Sequence, residues 1–215
     1  MRALADRAPP PQPRALRSAA LGGAATLAAA GAVAWRGAAR GDPVDARVRD
    51  WLRDRLHPHV HALSQVVAVL GSIPVALATS AVGAAVLERR RGVRGALPVL
   101  VSVGSAIATQ TLIKELVCRE RPPRRSGRRA RTSSFPSGHT TRATVAAAVA
   151  GYVALREGLA PRRVALPIAL GVPAAVGASR VYGDRHWATD VAGGWGLGAL
   201  VAALCALWYD RAQGR

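Results

Sequence analysis

Long stretches without formal charge alternate with short charged segments along most of the chain. Four of these stretches are at least 18 residues long, and they cover residues 18–35, 56–87, 95–113 and 191–209. A helix needs about 20 apolar residues to cross the hydrocarbon core of a bilayer. The pattern therefore predicts four membrane-spanning helices.

Two shorter uncharged runs, residues 143–155 and 164–179, predict two further helices. The first run reaches spanning length if its helix begins near Ser137, which puts Arg142 in the opening turns. An arginine at that depth needs a polar cavity or an anionic partner. Together the six runs predict an all-α integral membrane bundle.

The predicted bundle occupies residues 18–209. Residues 1–17 are rich in proline and arginine, which is typical of a disordered segment, and residues 210–215 form a short C-terminal tail. A secretory signal peptide at 18–35 followed by a soluble enzyme is the rival organisation. The later uncharged runs argue against it, because a soluble helical protein rarely needs several of that length.

Composition narrows the class of partner. The 215-residue chain carries a net charge of +18, and 50% of its residues are hydrophobic but only 4% are aromatic. We expect no nucleic-acid partner, because few aromatic side chains are available to stack on bases. A membrane protein that meets anionic lipids or phosphorylated substrates fits the charge better. The oligomeric state stays open.

The distribution of basic residues bears on orientation. Six spans put both termini on one side of the membrane, and that side carries 13 basic residues against 17 on the other. The positive-inside rule therefore does not orient the chain by itself. Setting aside basic residues that are candidates for substrate binding favours cytoplasmic termini.

Three polar clusters fall on the side opposite the termini. KELVCRERP (114–122) ends the third long run, FPSGHTTR (135–142) opens the fourth helix, and SRVYGDRHWATD (179–190) leads into the sixth. Charged residues beside hydrocarbon are costly, so their presence between apolar segments indicates function. Because spans alternate in direction, we expect all three clusters to meet at one membrane face.

The third cluster contains a candidate nucleophile. His186 and Asp190 are four residues apart, so on a helix they share one face. A carboxylate there can accept the Nδ1 proton of the imidazole, fix its tautomer and leave Nε2 free to attack.

The other clusters supply an anion site. In PSGH, the small residues Ser137 and Gly138 precede a helix, where backbone N–H groups and the helix dipole favour an anion. His139 stands beside that anion as a candidate general acid. Three basic side chains are suited to phosphate oxygens: Lys114, which is the only lysine of the chain, Arg121 and Arg180. These groups together predict phosphoryl transfer.

The three clusters resemble the motifs of the type 2 phosphatidic acid phosphatase superfamily, which shares its core with vanadium haloperoxidases and bacterial acid phosphatases. Its pattern is K-x6-RP, PSGH and SR-x5-H-x3-D, and the chain matches it without departure. The matching residues are Lys114, Arg121, Pro122, Pro136, Ser137, Gly138, His139, Ser179, Arg180, His186 and Asp190. Each motif alone is weak, but all three in this order are specific.

The resemblance implies a mechanism. His186 would attack phosphorus and become a phosphohistidine, with Asp190 orienting it, while His139 would protonate the leaving alkoxide and later activate water. The phosphate would be held by cations and by the backbone at the helix start: Lys114, Arg121, Arg180, Ser137 and Gly138. No metal and no cofactor is implied.

The resemblance also implies a lipid phosphate phosphatase of the bacterial plasma membrane, with its active site facing outside. The substrate stays open among isoprenyl diphosphates such as undecaprenyl diphosphate, phosphatidic acid, phosphatidylglycerophosphate and other lipid phosphates. A vanadate-dependent oxidase and a non-enzymatic membrane protein on the same fold are the alternatives. A non-enzymatic protein on this fold is expected to lack some catalytic residues of the three motifs, and this chain retains all of them.

Several polar residues fall outside the motifs. Basic residues in the loop after the first motif are interpreted as a solvated basic loop, with recruitment of anionic headgroups as the alternative: Arg119, Arg124, Arg125, Arg128, Arg129 and Arg131. Asp184 and Arg185 are expected to pair with each other or to line the pocket.

The remaining candidates have simpler interpretations. The histidines of HPHVH have metal-like spacing, but no acidic or cysteine ligand lies near His57, His59 and His61 in sequence. Cys118 and Cys205 match no disulfide framework and are interpreted as small apolar fillers. Trp187 and Trp195 are interpreted as interface anchors or packing residues.

Overall fold

A computed structural model of the chain describes residues 12–37, 42–56, 60–123 and 132–214, and its regular elements are all helices. Within these ranges there are eight: α1 (Pro13–Arg36), α2 (Pro43–Arg55), α3 (Val60–Val69), α4 (Ile73–Arg91), α5 (Val93–Val117), α6 (Gly138–Arg156), α7 (Arg162–Tyr182) and α8 (Ala188–Ala212).

The six predicted helices correspond to α1 and α4–α8. The start predicted near Ser137 is confirmed, because α6 begins at Gly138 with Ser137 as its N-cap. The short helices α2 and α3 were not predicted. The apolar run 56–87 is divided by a turn at residues 70–72, so that α3 and α4 meet at a bend of 45°.

Local sequence explains where the helices begin. Asp42 caps α2 through a capping box with Asp45, and Pro43 stands at the first helical position, where a proline needs no N–H. The hydroxyl of Ser72 accepts from the amide of Val75 at the start of α4. Gly92 separates α4 from α5 with φ of 69°, a left-handed value that glycine adopts without steric cost.

Both predicted tails are shorter than expected. Residues 1–11 lie outside the described part of the chain, but α1 already begins at Pro13, so 13–17 are helical. At the other end α8 continues to Ala212. Asp210 is buried there and accepts hydrogen bonds from Tyr152 and from Arg156. These contacts tie the end of α8 to α6, which is why the helix does not stop at Tyr209.

The bundle has the surface of a membrane protein. Four helices of the described chain (α1, α5, α7 and α8) are long and apolar enough to cross a bilayer, and α3 with α4 forms a fifth, bent candidate span. Large apolar side chains are exposed on the outer faces of these helices: Leu21, Val82, Leu100, Leu112, Leu116, Leu170 and Leu204. The sixth long helix, α6, is mostly enclosed by its neighbours, so its polar first turns do not meet lipid.

The core lies between α4, α5, α6 and α8. On the outside of α8, α1 packs closely where Gly23 faces Gly196, since a Cβ on either glycine would lie 2.7 Å or less from opposing backbone. At one end of the bundle the last turn of α5, the first turn of α6, the last turn of α7 and the first turn of α8 come together. The three polar clusters therefore meet at one end, as predicted.

Candidate active site

A cavity of about 210 Å³ opens at this end of the bundle. Nine residues line it: Gln110, Lys114, Arg121, Gly138, His139, Arg142, Arg180, Arg185 and His186. Five are cationic and, among these described lining residues, none is acidic. Such a concentration of positive charge in a partly buried site favours a multiply charged anion.

His186 lies in the turn between α7 and α8 and is 4% exposed. Its Nδ1 faces Oδ2 of Asp190 at 3.5 Å, and its Nε2 lies 3.4 Å from Nη1 of Arg121. A guanidinium only donates hydrogen bonds, so the contact with Arg121 requires a lone pair on Nε2 and leaves the proton on Nδ1. Burial lowers the pKa of His186 to about 4, although Asp190 acts in the opposite direction. The side chain is therefore a neutral imidazole at pH 7, with Nε2 unprotonated at the cavity.

His139 is half-buried in the first turn of α6, across the cavity from His186. Nη2 of Arg142 lies 3.4 Å from its Nδ1, and by the same reasoning the imidazole carries its proton on Nε2. Arg142 itself is held by the carbonyl of Gly71, which accepts from its Nε at 3.0 Å. The bend between α3 and α4 thus brings a backbone acceptor to the site.

Two cations of the cavity, Lys114 and Arg121, are held by backbone carbonyls. Nζ of Lys114 donates to the carbonyl of Ser133 at 2.9 Å and contacts that of Ser134 at 3.3 Å. Arg121 donates to the carbonyls of Thr132 at 3.1 Å and Arg185 at 2.8 Å. Neutral carbonyls orient these side chains without cancelling their charge, so both remain able to attract an anion.

The start of α6 forms one wall of the cavity at Gly138. A Cβ there would lie 2.9 Å from Nη1 of Arg142 and 2.9 Å from Nε2 of Gln110, so these side chains occupy the space that any larger residue needs. The first N–H groups of a helix have no acceptor within the helix. The amides at this helix end and its dipole are accordingly suited to an anion in the cavity.

Ser137 has a different role from the predicted one. Its backbone amide donates to the carbonyl of Asp190 at 2.9 Å, and its hydroxyl accepts from Thr140. Ser137 is fully buried and does not line the cavity. Its amide joins the start of α6 to the start of α8, so the structure gives it a contact other than the predicted one with a phosphate.

Of the other predicted site residues, Arg180 lines the cavity from the last turn of α7, where its Nε lies 3.4 Å from the hydroxyl of Ser179. Asp190 lies behind His186 and is fully buried. Its Oδ2 accepts from the backbone amide of Trp187 at 2.9 Å, which holds the carboxylate at the helix start. The structure thus brings every predicted side chain except Ser137 to the cavity or directly behind it.

Arg119 was predicted to belong to a solvated loop, and this is wrong. The side chain is fully buried between two carboxylates, with Nη1 2.7 Å from Asp190 and Nη2 2.6 Å from Asp45 on α2. Thr189 joins the same group, since its hydroxyl accepts from Arg119 and its amide donates to Asp45. The other arginines of that loop, at 124–131, lie outside the described residues.

The predicted pair Asp184 and Arg185 does not form. Asp184 instead pairs with Arg49 at 2.9 Å and with Arg53, both on α2, while Arg185 lines the cavity. Helix α2 therefore covers the outer end of the site. Its Asp45 lies far from the motifs in sequence, so motif spacing does not indicate it as a site residue.

The remaining candidates add no further chemistry. His57 and His59 lie outside the described residues, and His61 contacts Gln65. No group of three potential metal ligands occurs in the part of the chain that the structure describes. Trp187 is buried and donates to the carbonyl of Glu120, so it packs within the site, whereas Trp195 is partly exposed. Cys205 is buried, as expected of an apolar filler. Cys118 is exposed and ends α5, so it does not fit that expectation.

Fold and site define the class of protein: an all-helical membrane bundle with two histidines at a cationic pocket. The sequence profile of the PAP2 superfamily matches residues 95–213, more than half of the chain. The protein belongs to the PAP2 superfamily. No curated protein sequence matches the chain.

One solved structure shares the fold. It is described as the first transmembrane PAP2 type phosphatidylglycerolphosphate phosphatase from Bacillus subtilis. The two chains are 23% identical, the match covers 83% of this chain and 90% of the other, and the TM-score is 0.69. At this identity the likeness establishes the membrane PAP2 fold, which confirms the predicted fold class.

Proposed function

We propose that the protein is a membrane lipid phosphate phosphatase that hydrolyses a phosphomonoester or a diphosphate through a phosphohistidine on His186. Membership of the PAP2 superfamily and the fold of a membrane phosphatase support phosphatase chemistry on a lipid phosphate. The observation that carries the proposal is the position of His186: its unprotonated Nε2 meets Arg121 at a cavity lined by five cations.

The first half of the reaction makes a bond from Nε2 of His186 to phosphorus and breaks the bond from phosphorus to the ester or bridging oxygen. Lys114, Arg121 and Arg180 offset the charge of the non-bridging oxygens as the transition state forms. The Nδ1–H of His186 faces Asp190, whose negative charge stabilises the positive charge that the ring acquires.

His139 supplies the proton for the leaving oxygen. A bound phosphate adds negative charge beside this histidine and favours its protonated form, which then donates to the departing alkoxide. In the second half, water attacks phosphorus and gives its proton to His139, while the bond from phosphorus to His186 breaks. Inorganic phosphate leaves, His139 releases the proton that it took up from solvent when the substrate bound, and both histidines return to their starting forms.

The cationic lining gives a reason for chemistry without a metal ion. Five cationic side chains and the start of α6 surround the cavity, so the negative charge of a phosphate is offset by groups of the chain itself. We further propose a multi-pass position in the bacterial plasma membrane, with cytoplasmic termini and the cavity facing outside. The substrate would then be a lipid phosphate in the outer leaflet.

The experiment is an assay of phosphate release by the purified full-length protein in detergent. The panel consists of phosphatidic acid, phosphatidylglycerophosphate, farnesyl diphosphate and undecaprenyl diphosphate, each with and without EDTA. We expect release from at least one substrate, unchanged by EDTA. No release from any member contradicts the proposed function, and loss in EDTA that Mg²⁺ restores contradicts the metal-free mechanism.

A further inference from the structure

Behind His186 lies a triad of charged side chains formed by the motif residue Asp190 and by Arg119 and Asp45, which no motif specifies. The guanidinium of Arg119 bridges Oδ2 of Asp45 at 2.6 Å and Oδ1 of Asp190 at 2.7 Å, and all three side chains are 0% exposed. Thr189 closes the group by donating its amide to Asp45 at 2.8 Å and accepting from Arg119 at 2.6 Å. Asp45 on α2 is therefore linked to Asp190 through one side chain, that of Arg119.

Such a buried triad of charges contributes little net free energy to the stability of a fold. Burying two carboxylates and a guanidinium has a large desolvation cost, and apolar residues of similar volume often give equal or higher stability. None of the three side chains lines the cavity, so none binds the phosphate directly. The triad instead acts on its neighbour His186, whose Nδ1 faces Asp190.

The contacts of Asp190 explain what Arg119 does. Oδ1 accepts from Arg119, while Oδ2 accepts from the amide of Trp187 and faces Nδ1 of His186 at 3.5 Å. Both oxygens thus have fixed donors, so the carboxylate cannot rotate away from the imidazole. The hydrogen bond from Arg119 to Asp190 joins two charged groups at 2.7 Å, and such bonds are strong and directional.

The net charge of the triad explains why a second carboxylate, that of Asp45, contacts Arg119. Arg119 alone would neutralise Asp190, and a neutral pair would stabilise a positive ring on His186 less well. Asp45 offsets the charge of Arg119 and leaves the triad with one net negative charge beside His186. In this way Asp190 has both a fixed position and its full electrostatic effect.

We propose that Asp45 and Arg119 are positioning residues that hold Asp190, and through it His186, ready for attack on phosphorus. This inference rests on the proposed function. Asp45 lies outside residues 95–213, the region that matches the superfamily, so α2 contributes to the site from outside that region.

The test compares Asp45→Asn with Asp50→Asn. Asp50 is an exposed carboxylate on the same helix, so the control makes the same chemical change away from the triad. Both are made in a His139→Ala background, in which we expect the phosphoenzyme to accumulate. Rapid quench with ³²P-labelled nitrophenyl phosphate gives two quantities: the amplitude of label counts folded sites, and the rate constant reports the attack by His186.

We expect Asp45→Asn to lower the rate constant about 10–100-fold, because small misplacements of reacting groups have effects of that order. The amplitude should match that of Asp50→Asn. A lower amplitude with an unchanged rate constant would reduce the triad to a purely structural role and overturn the inference. If Asp45→Asn does not fold, Arg119→Lys keeps the charge but not the fork that bridges two carboxylates, and a normal rate constant in this variant overturns the inference equally.

A double-mutant cycle separates action through Asp190 from any other effect. In an Asp190→Asn background, adding Asp45→Asn should change the rate constant by less than about twofold, because coupled residues are not additive. Full additivity would contradict the inference. Absence of label in the parent with intact Asp45 would instead count against the proposed function, so the two failures are distinguishable.

Discussion

The guanidinium of Arg142 lies 3.4 Å from Nδ1 of His139 while its Nε donates to the carbonyl of Gly71. The arginine is thus held from one side by the bend between α3 and α4, and it holds the imidazole on the other. Since a guanidinium cannot accept a hydrogen bond, it fixes the tautomer of His139 that carries the proton on Nε2.

The role of His139 as the acid predicts a dependence on the leaving group. His139→Ala should lower turnover of phosphatidic acid about 10²–10⁴-fold, the usual contribution of a positioned acid. With nitrophenyl phosphate the loss should be much smaller, because nitrophenolate leaves with little protonation. Steady-state kinetics on both substrates check this, and an equal loss on the two would remove His139 from the role of acid.

Lys114→Arg should not be a silent change, although arginine is abundant elsewhere in the chain. Nζ is held by two carbonyls, and the larger planar guanidinium does not fit the position of a compact ammonium. We expect kcat/KM to fall at least about tenfold with normal expression. The exposed Arg89→Lys is the control, and wild-type kinetics for Lys114→Arg would contradict the prediction.

Gly138→Ala tests how closely the start of α6 is packed against the cavity. The added methyl would lie 2.9 Å from both Arg142 and Gln110, so it must displace cavity-lining side chains. Activity should fall about tenfold or more while thermal stability in detergent changes little. Gly104→Ala is a matched control, because a Cβ at Gly104 on α5 meets nothing within 4 Å.

The pKa of His186 sets the acid limit of its reactivity. Because that pKa is lowered to about 4, the neutral, nucleophilic form predominates at pH 5 and is lost only as the pH falls toward 4. The pH profile of kcat/KM for nitrophenyl phosphate, corrected for ionisation of the substrate, should therefore have no limb from His186 near pH 6.5. A limb near pH 6.5 that persists in His139→Ala, in which His186 is the only histidine among the described residues lining the cavity, would contradict this assignment.

Sequence patterns predicted the parts of the site that depend on local spacing. His186 and Asp190 are four residues apart across the start of α8, and PSGH marks the start of α6, so the motif spacing predicts that these residues lie at the site, although His186 precedes the helix. Arg119 could not be assigned in this way, because its burial depends on Asp45, 74 residues earlier in the chain. Gly71 was missed for the same reason: nothing within its apolar run indicates that its carbonyl meets Arg142 at the start of another helix.

The proposed orientation can be tested with the native cysteines. Cys118 is exposed at the site end of α5, and Cys205 is buried. An impermeant maleimide should label Cys118 in intact cells, and Cys118→Ser should abolish the label. In that background Arg89→Cys, in the last turn of α4, should react only after permeabilisation. The reverse pattern would place the cavity on the cytoplasmic side.

The central claim is that His186 forms the covalent bond to phosphorus. The most direct measurement is rapid acid and base quench of the purified protein after mixing with ³²P-labelled nitrophenyl phosphate, in the His139→Ala and His186→Ala variants. We predict acid-labile, base-stable label on the His139→Ala protein, at the residue identified as His186 by peptide mapping, and none on the His186→Ala protein. Label that persists without His186, or that maps to another residue, would contradict the account.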